Sequence, residues 1–201
     1  MNDIVSLLKE SGAMLEGHFL LSSGRHGDKY IQCAKLMQYP GKAATALEHI
    51  VKAIKADIDT GKLKADAVAG PAMGGIIVAY ELARQLGLPA IFTERDDNNI
   101  MCLRRGFEIK PGSFVIIAED VVTTGKSSGE CASALKTQGA NIAALACIAD
   151  RRQPLNESSS LEDLPWPFYS AIRIEAQNWT PEDCDLCKKG IPLIKPGSRK
   201  V

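Results

Sequence analysis

The stretch Phe114-Val115-Ile116-Ile117-Ala118-Glu119-Asp120-Val121-Val122-Thr123-Thr124-Gly125-Lys126-Ser127 decides the fold. Phe114 to Ala118 is an unbroken, β-branched apolar run, the mark of a strand buried on both faces. It leads into two acids, two more β-branched residues and a Thr-Thr-Gly-Lys-Ser turn, which opens a helix predicted from about Lys126 to Gln138. In open α/β sheets ligands bind at the carboxyl ends of strands, where this turn falls. Consecutive backbone N–H groups, hydroxyls and a helix N-terminus make an anion cradle suited to a phosphate. Two carboxylates would repel that phosphate, so they are suited to gripping hydroxyls or a divalent cation on the same ligand. A sugar phosphate with vicinal hydroxyls satisfies both halves of the motif.

Outward from this segment the same alternation repeats. Ala65–Gly70, Pro89–Thr93 and Asn141–Ala149 read as further short strands, and Gly75–Leu86 reads as a helix between two of them. Residues 41–56 place Ala44, Leu47, Ile50, Val51 and Ile54 on one helical stripe. The expected fold is therefore α/β, an open, mostly parallel twisted sheet with helices on both faces. Residues 2–10 predict a short amphipathic helix, and Met14–Ala34, broken by Gly17, Gly24 and Gly27, predicts a small hairpin-like hood. Leu155–Pro167 reads as a connection to a strand near Phe168–Ile174, and Thr180–Val201 as a tail that wraps the surface. One domain over 1–201 is expected, its hood formed by about 1–40 and the C-terminal segment, its core by about 41–175.

The composition is that of an ordinary globular domain. The 201 residues hold 45% hydrophobic and 24% charged residues, with a net charge of zero, enough apolar mass for a core. Charge balance argues against a massed cationic face for nucleic acid. No window approaches the roughly 20 apolar residues of a membrane span. Met1–Leu8 has no cationic start, apolar run or cleavage site of a secretory signal. Six cysteines are too sparse for a disulfide scaffold, and Cys131 and Cys147 sit in apolar stretches as reduced core thiols do. The expected compartment is the cytoplasm.

Two nucleotide motifs fail. Gly125-Lys126-Ser127 resembles the end of a P-loop, but that motif needs glycine at the position of Asp120. Gly70, Gly74 and Gly75 do not make the dinucleotide fingerprint. Cys184 and Cys187 form a CxxC that supplies two ligands where a structural zinc needs four, with no histidine nearby in sequence; packing is the expected role. His49 is expected on a surface, and His26, beside Arg25, within reach of a substrate. His18, His26 and His49 are scattered and form no nucleophilic triad.

Residues 115–127 resemble the phosphoribosyl-pyrophosphate-binding signature of the type I phosphoribosyltransferases. Leu21–Tyr30, Gly70–Gly75, Phe92–Arg95 with Leu103–Phe107, and Asp150-Arg151-Arg152 stand in the order of the orotate-specific branch, and Cys184-Asp185-Leu186-Cys187 before Gly190-Ile191-Pro192 is similar to many bacterial members. The resemblance implies transfer of phosphoribose to orotate, with release of pyrophosphate and formation of orotidine 5′-monophosphate. It also implies a homodimer and Mg²⁺ held mainly by the substrate, with Asp120 the candidate protein ligand. Other activities of the same fold are purine or uracil salvage, and regulation by ligand sensing.

The resemblance further assigns residues. Glu119, Asp120 and Arg105 are the catalytic candidates. Phosphoribosyl pyrophosphate falls to Arg95, Ala72, Met73, Glu119, Asp120, Val121, Val122, Thr123, Thr124, Gly125, Lys126 and Ser127. Orotate falls to Thr123, Arg151, Tyr30 and Ile31, the guanidinium gripping its carboxylate; a surface salt bridge is the plainer reading of Arg151. The long polar stretch 94–107 reads as a flap over the pyrophosphate, with Arg95, Arg104 and Arg105 supplying charge. This chain departs from the pattern at Met73 and Ser22, where many members carry lysine, and in a flap tip of Asp96-Asp97-Asn98-Asn99 without lysines or histidine. Arg25 and Lys29, or a partner subunit, are expected to compensate.

Overall fold

The computed structural model describes residues 4–21, 23–152 and 166–196. The expectations for Ser22, for most of the 155–167 connection and for the last five residues of the tail lie outside these. The chain opens with α1 (Ile4–Glu10), the hairpin β1 (Met14–Leu20) and β2 (His26–Ile31), the single turn α2 (Ala34–Met37) and the long α3 (Pro40–Asp59). Then follow β3 (Ala67–Pro71), α4 (Gly74–Leu86), β4 (Ala90–Arg95), β5 (Met101–Leu103), β6 (Phe114–Val122), α5 (Lys126–Thr137) and β7 (Asn141–Asp150). The chain continues through β8 (Phe168–Arg173), β9 (Asn178–Trp179) and α6 (Asp185–Lys188).

Six strands form the main sheet in the order β5-β4-β3-β6-β7-β8. All neighbours are parallel except the β4–β5 edge pair. From β3 the chain moves outward to β4, then returns to the other side of β3 as β6 and proceeds to β7. This reversal leaves a crevice between the carboxyl ends of β3 and β6, the topological switch point where α/β proteins bind ligands.

Side chains of β6 explain the two-sided burial. Ile116 and Ala118 join the core under α1, α3 and α4, whereas Val115 and Ile117 join a second core under α5. Each fully buried isoleucine contributes roughly 1.5–3 kcal/mol, so exchanging apolar for polar residues anywhere in this run would open one core or the other.

The second sheet is small and antiparallel, in the order β1-β2-β9. Beyond β9 the chain passes through α6 and back along β1: the Ile194 amide donates to the His18 carbonyl (2.8 Å), and the Leu20 amide donates to the Ile194 carbonyl (2.8 Å). The expected surface-wrapping tail is thus, in its described part, a layer on the hood hairpin.

Candidate functional site

Strand β6 does not stop at Ala118 as its apolar run predicts; it continues through both acids to Val122. Glu119 is therefore buried in strand rather than displayed on a turn. Burial, with the charge of Asp120 second, pushes its carboxyl up to about 8. Burial also raises Asp120, whose Oδ1 accepts its own neighbour's amide, that of Val121, at 2.8 Å. Burial raises both carboxyls, and no salt bridge among the described residues reaches either one, so a hydroxyl donating to them or a metal would favour their charged forms.

The loop after β3 presses against this pair. A Cβ on Gly70 would lie 2.1 Å from the Gly75 carbonyl oxygen, and one on Gly75 would lie 2.7 Å from that of Ala118. A Cβ on Gly74 would stand 2.6 Å from the Asp120 carboxyl carbon. Only glycine lets the start of α4 approach β6 so closely. The loop itself carries Ala72, whose amide donates to the Thr93 carbonyl at 2.7 Å, and Met73, which is 81% exposed; the peptide joining them is cis.

Across the crevice, Thr123, Thr124, Lys126 and Ser127 are exposed. Gly125 takes φ 66° at the N-cap of α5, and no side chain caps that helix. The first-turn N–H groups of a helix have no intrahelical acceptor, so this corner offers donors and a positive dipole end to an anion.

Of the twin arginines after β7, the structure separates the roles. Asp150, only 2% exposed, takes Arg152 in a two-pronged pair (2.9 and 2.9 Å), and Arg152 also covers the Phe168 ring at 4.0 Å. Arg151 is not the surface ion pair of the plainer reading. Its backbone amide donates to Val122 (2.8 Å), its side chain is largely buried, and its Nε has no hydrogen-bond partner. Desolvation works against its charge, and Asp28 from the hood is the charge that offsets it. Arg151 thus sits where hood and sheet meet, with its Nε unpaired.

Tyr30 is half-buried and donates its hydroxyl to Gln32 (3.1 Å). The neighbouring Ile31 points the other way and belongs to the core. Lys29 donates to the Glu175 carbonyl (2.6 Å) and Arg25 to that of Asn178 (3.1 Å), both tied within the hood.

The 94–107 stretch is a β-hairpin extension rather than a loop: β4 and β5 pair from Thr93–Leu103 to Arg95–Met101. Asp96 closes its tip by accepting the amides of Asn98 (2.9 Å) and Ile100 (2.8 Å), which accounts for an acidic tip where cations were looked for. Arg95 pairs with Glu130, and Arg105 pairs with Glu94 (2.8 Å) while facing the Phe92 ring. Arg105 has φ 59°, in the left-handed region that favours glycine. In this conformation both cations are engaged by carboxylates, and a leaving group would have to draw them away.

His26 opens β2 and is buried in the hood. It is 6% exposed and faces His18 (Nε2 to His26 Nδ1, 3.0 Å). Cys184 and Cys187 lie against the same two rings, which sequence spacing had kept apart. His49 is exposed, as expected.

Comparisons with known proteins place the chain among its relatives. The family model described as a phosphoribosyl transferase domain matches residues 42–164. An orotate phosphoribosyltransferase of Heliobacterium modesticaldum is 43% identical over 198 residues, covering 98% of each chain. The crystal structure of an orotate phosphoribosyltransferase from Aeropyrum pernix superposes with a TM-score of 0.68 at 25% identity, over 85% of this chain and 93% of that one. An adenine phosphoribosyltransferase from Thermoanaerobacter pseudethanolicus shares the fold, with a TM-score of 0.57 at 15% identity, over 73% and 88% of the two chains. With a family model over residues 42–164 and a near-full-length relative in agreement, the chain belongs to the phosphoribosyltransferase family.

Proposed function

We propose that the enzyme transfers the 5-phosphoribosyl group from phosphoribosyl pyrophosphate to orotate, forming orotidine 5′-monophosphate and pyrophosphate for pyrimidine synthesis. The observation that carries the choice of base is Arg151, a largely buried guanidinium with an unpartnered Nε, just past the end of β7 and facing Asp28 of the hood. Orotate brings a planar carboxylate that such a fork can grip with two bonds. A neutral purine or uracil brings none.

In the reaction the orotate ring nitrogen loses its proton and bonds to C1 of the ribose as the C1–oxygen bond to pyrophosphate breaks. Positive charge develops on the ribose and negative charge on the departing group, so catalysis rests on positioning and electrostatics. Thr123–Ser127 would hold the 5-phosphate, with Val121 and Val122 setting the height of that corner on β6. Glu119 and Asp120 would accept from the ribose hydroxyls and, as protons leave them, face the growing cation with negative charge. Ala72 and Met73 would border the pyrophosphate, while Tyr30 and the backbone at Ile31 and Thr123 would border the base. Arg95 and Arg105 would exchange Glu130 and Glu94 for the pyrophosphate.

Oxygen donors suit Mg²⁺, and the residues present fit it: the Asp120 carboxylate lies against Gly74, where any Cβ would collide with it. Bound with the substrate, the ion would neutralise pyrophosphate charge, and Asp120 is the residue that would touch it. For a homodimer the support is an apolar stripe of exposed residues, Met73, Ile77 and Tyr80, one turn apart along α4. No helix among the described residues is long and apolar enough to cross a membrane, in keeping with work in the cytoplasm on small-molecule substrates.

The test is the fall in orotate absorbance on adding phosphoribosyl pyrophosphate and Mg²⁺, with hypoxanthine and uracil as control bases. Loss with orotate alone is expected; no change with all components present would overturn the proposal.

A further inference from the structure

We propose that His18, His26, Cys184 and Cys187 form a structural zinc site that fastens the segment after β9 onto the hood sheet. The four side chains come from three separate elements, yet one ligand atom from each lies within 4.8 Å of all the others. The individual separations are 3.0 Å from His18 Nε2 to His26 Nδ1, 3.4 Å from Cys184 Sγ to His18 Nε2, 3.7 Å from Cys187 Sγ to His18 Nε2 and 3.3 Å from Cys187 Sγ to His26 Nδ1. Tetrahedral zinc with Zn–N of about 2.0–2.1 Å and Zn–S of about 2.3 Å places its ligand atoms about 3.3–3.8 Å apart. Four of the cluster's six edges already lie near those values, and all six are within 4.8 Å.

Its surroundings point the same way. His18 Nδ1 is 2.7 Å from the Ile191 carbonyl oxygen. A carbonyl only accepts, so Nδ1 is the donor of that bond, which leaves Nε2 as the ring's ligating nitrogen. Metal-bound histidines are oriented in this way by their other ring nitrogen. The pairing of β1 with β2 slips between Glu16 and Phe19, and a bulge re-aims side chains. Here it lets both His18 and Phe19, at 1% and 3% exposure, turn inward in succession. Two imidazoles and two thiolates are a donor set for zinc rather than for Mg²⁺ or Ca²⁺.

The need is physical. The hood sheet has three strands, one of them only two residues long, and so small a unit commonly relies on a metal or a disulfide. All six cysteines are free thiols, so no disulfide fills that role. By fixing His26 at the start of β2, the ion would also fix Asp28 and Tyr30 further along the strand.

The full chain, purified under reducing conditions without chelator, should carry one zinc per chain by elemental analysis. Replacing that zinc with Co²⁺ should give the d–d bands of a tetrahedral ion and a thiolate charge-transfer band. Cys187→Ser, at an exposed position, should weaken zinc binding by about a hundredfold or more, since loss of a supporting residue alone costs 10–100-fold. His26→Ala should do the same. A chain that neither retains nor takes up zinc or cobalt would overturn the proposal, as would stoichiometric iron in its place or a Cys184–Cys187 disulfide. Zinc uptake unchanged in Cys187→Ser would overturn it too. None of these results bears on the orotate assay.

Discussion

Replacing Arg151 with glutamine should separate binding from stability. The guanidinium is largely buried, its Nε has no partner, and its burial is opposed chiefly by the charge of Asp28. A charge-assisted hydrogen bond to a ligand contributes about 1.5–3 kcal/mol. At about 1.4 kcal/mol per tenfold, Arg151→Gln should lower kcat/KM for orotate by roughly 10- to 150-fold. The KM for phosphoribosyl pyrophosphate should stay put. In the folded enzyme without ligand, the same change removes an unsatisfied buried donor, which costs about 1–3 kcal/mol. The melting temperature should therefore hold or rise, by about 2–4 °C per kcal/mol at this chain length. The neighbouring Arg152→Gln supplies the contrast: it strips a buried carboxylate, Asp150, of its two-pronged partner and leaves it only Arg173 at 3.5 Å, which should lower stability by roughly 1–3 kcal/mol. Steady-state kinetics at saturating phosphoribosyl pyrophosphate and thermal melts of both variants decide the matter. An unchanged orotate kcat/KM, or a melt that falls in Arg151→Gln as it does in Arg152→Gln, would refute the reasoning.

Further expectations concern the acids, the glycine and the flap. Glu119 is held at about 8 in the fold against an ordinary value of 4.5; the native state keeps a proton that the unfolded state releases. Stability should fall as pH rises from about 4.5 to 8, by up to about 1.4 kcal/mol per pH unit from this group. Urea titrations of Glu119→Gln should lack that slope, and an identical pH profile would show the carboxyl is not perturbed. Gly74→Ala pushes a methyl group against Asp120. Overpacking of about 1–3 kcal/mol should weaken phosphoribosyl pyrophosphate binding about ten- to hundredfold in calorimetry, and unaltered affinity would mean that the loop moves freely. Arg105→Ala should cut kcat at least about tenfold if its charge meets the leaving group; unchanged turnover would remove the flap role.

Much of the fold was legible because it is local. The apolar run Phe114–Ala118 spells out a doubly buried strand, and periodicity gives most of the helices and strands around it, though not α2, β5, β9 or α6. What could not be read depends on distance. Nothing in Asp150-Arg151-Arg152 says which arginine pairs with Asp150; that is set by Phe168 on the next strand, which Arg152 covers. The extension of β6 through Glu119 and Asp120 is invisible to hydropathy, because the pairing of Val121 with Ala149 and Val122 with Asp150 carries the strand past its acids. The Cys–His cluster was missed because spacing rules look a few residues away, whereas His18 and Cys184 are 166 positions apart. The signal available was a glycine, Gly17, with an unusual φ of 156° beside the histidine, and that is seen only once the strands are paired.

The most direct measurement is an amide NMR titration of the ¹⁵N-labelled protein with ribose 5-phosphate. The largest shifts should fall on the backbone N–H groups of Thr124 to Ser128, with smaller ones at Glu119 and Asp120. If the sugar phosphate binds while those amides stay still, the corner after β6 is not where the pentose docks.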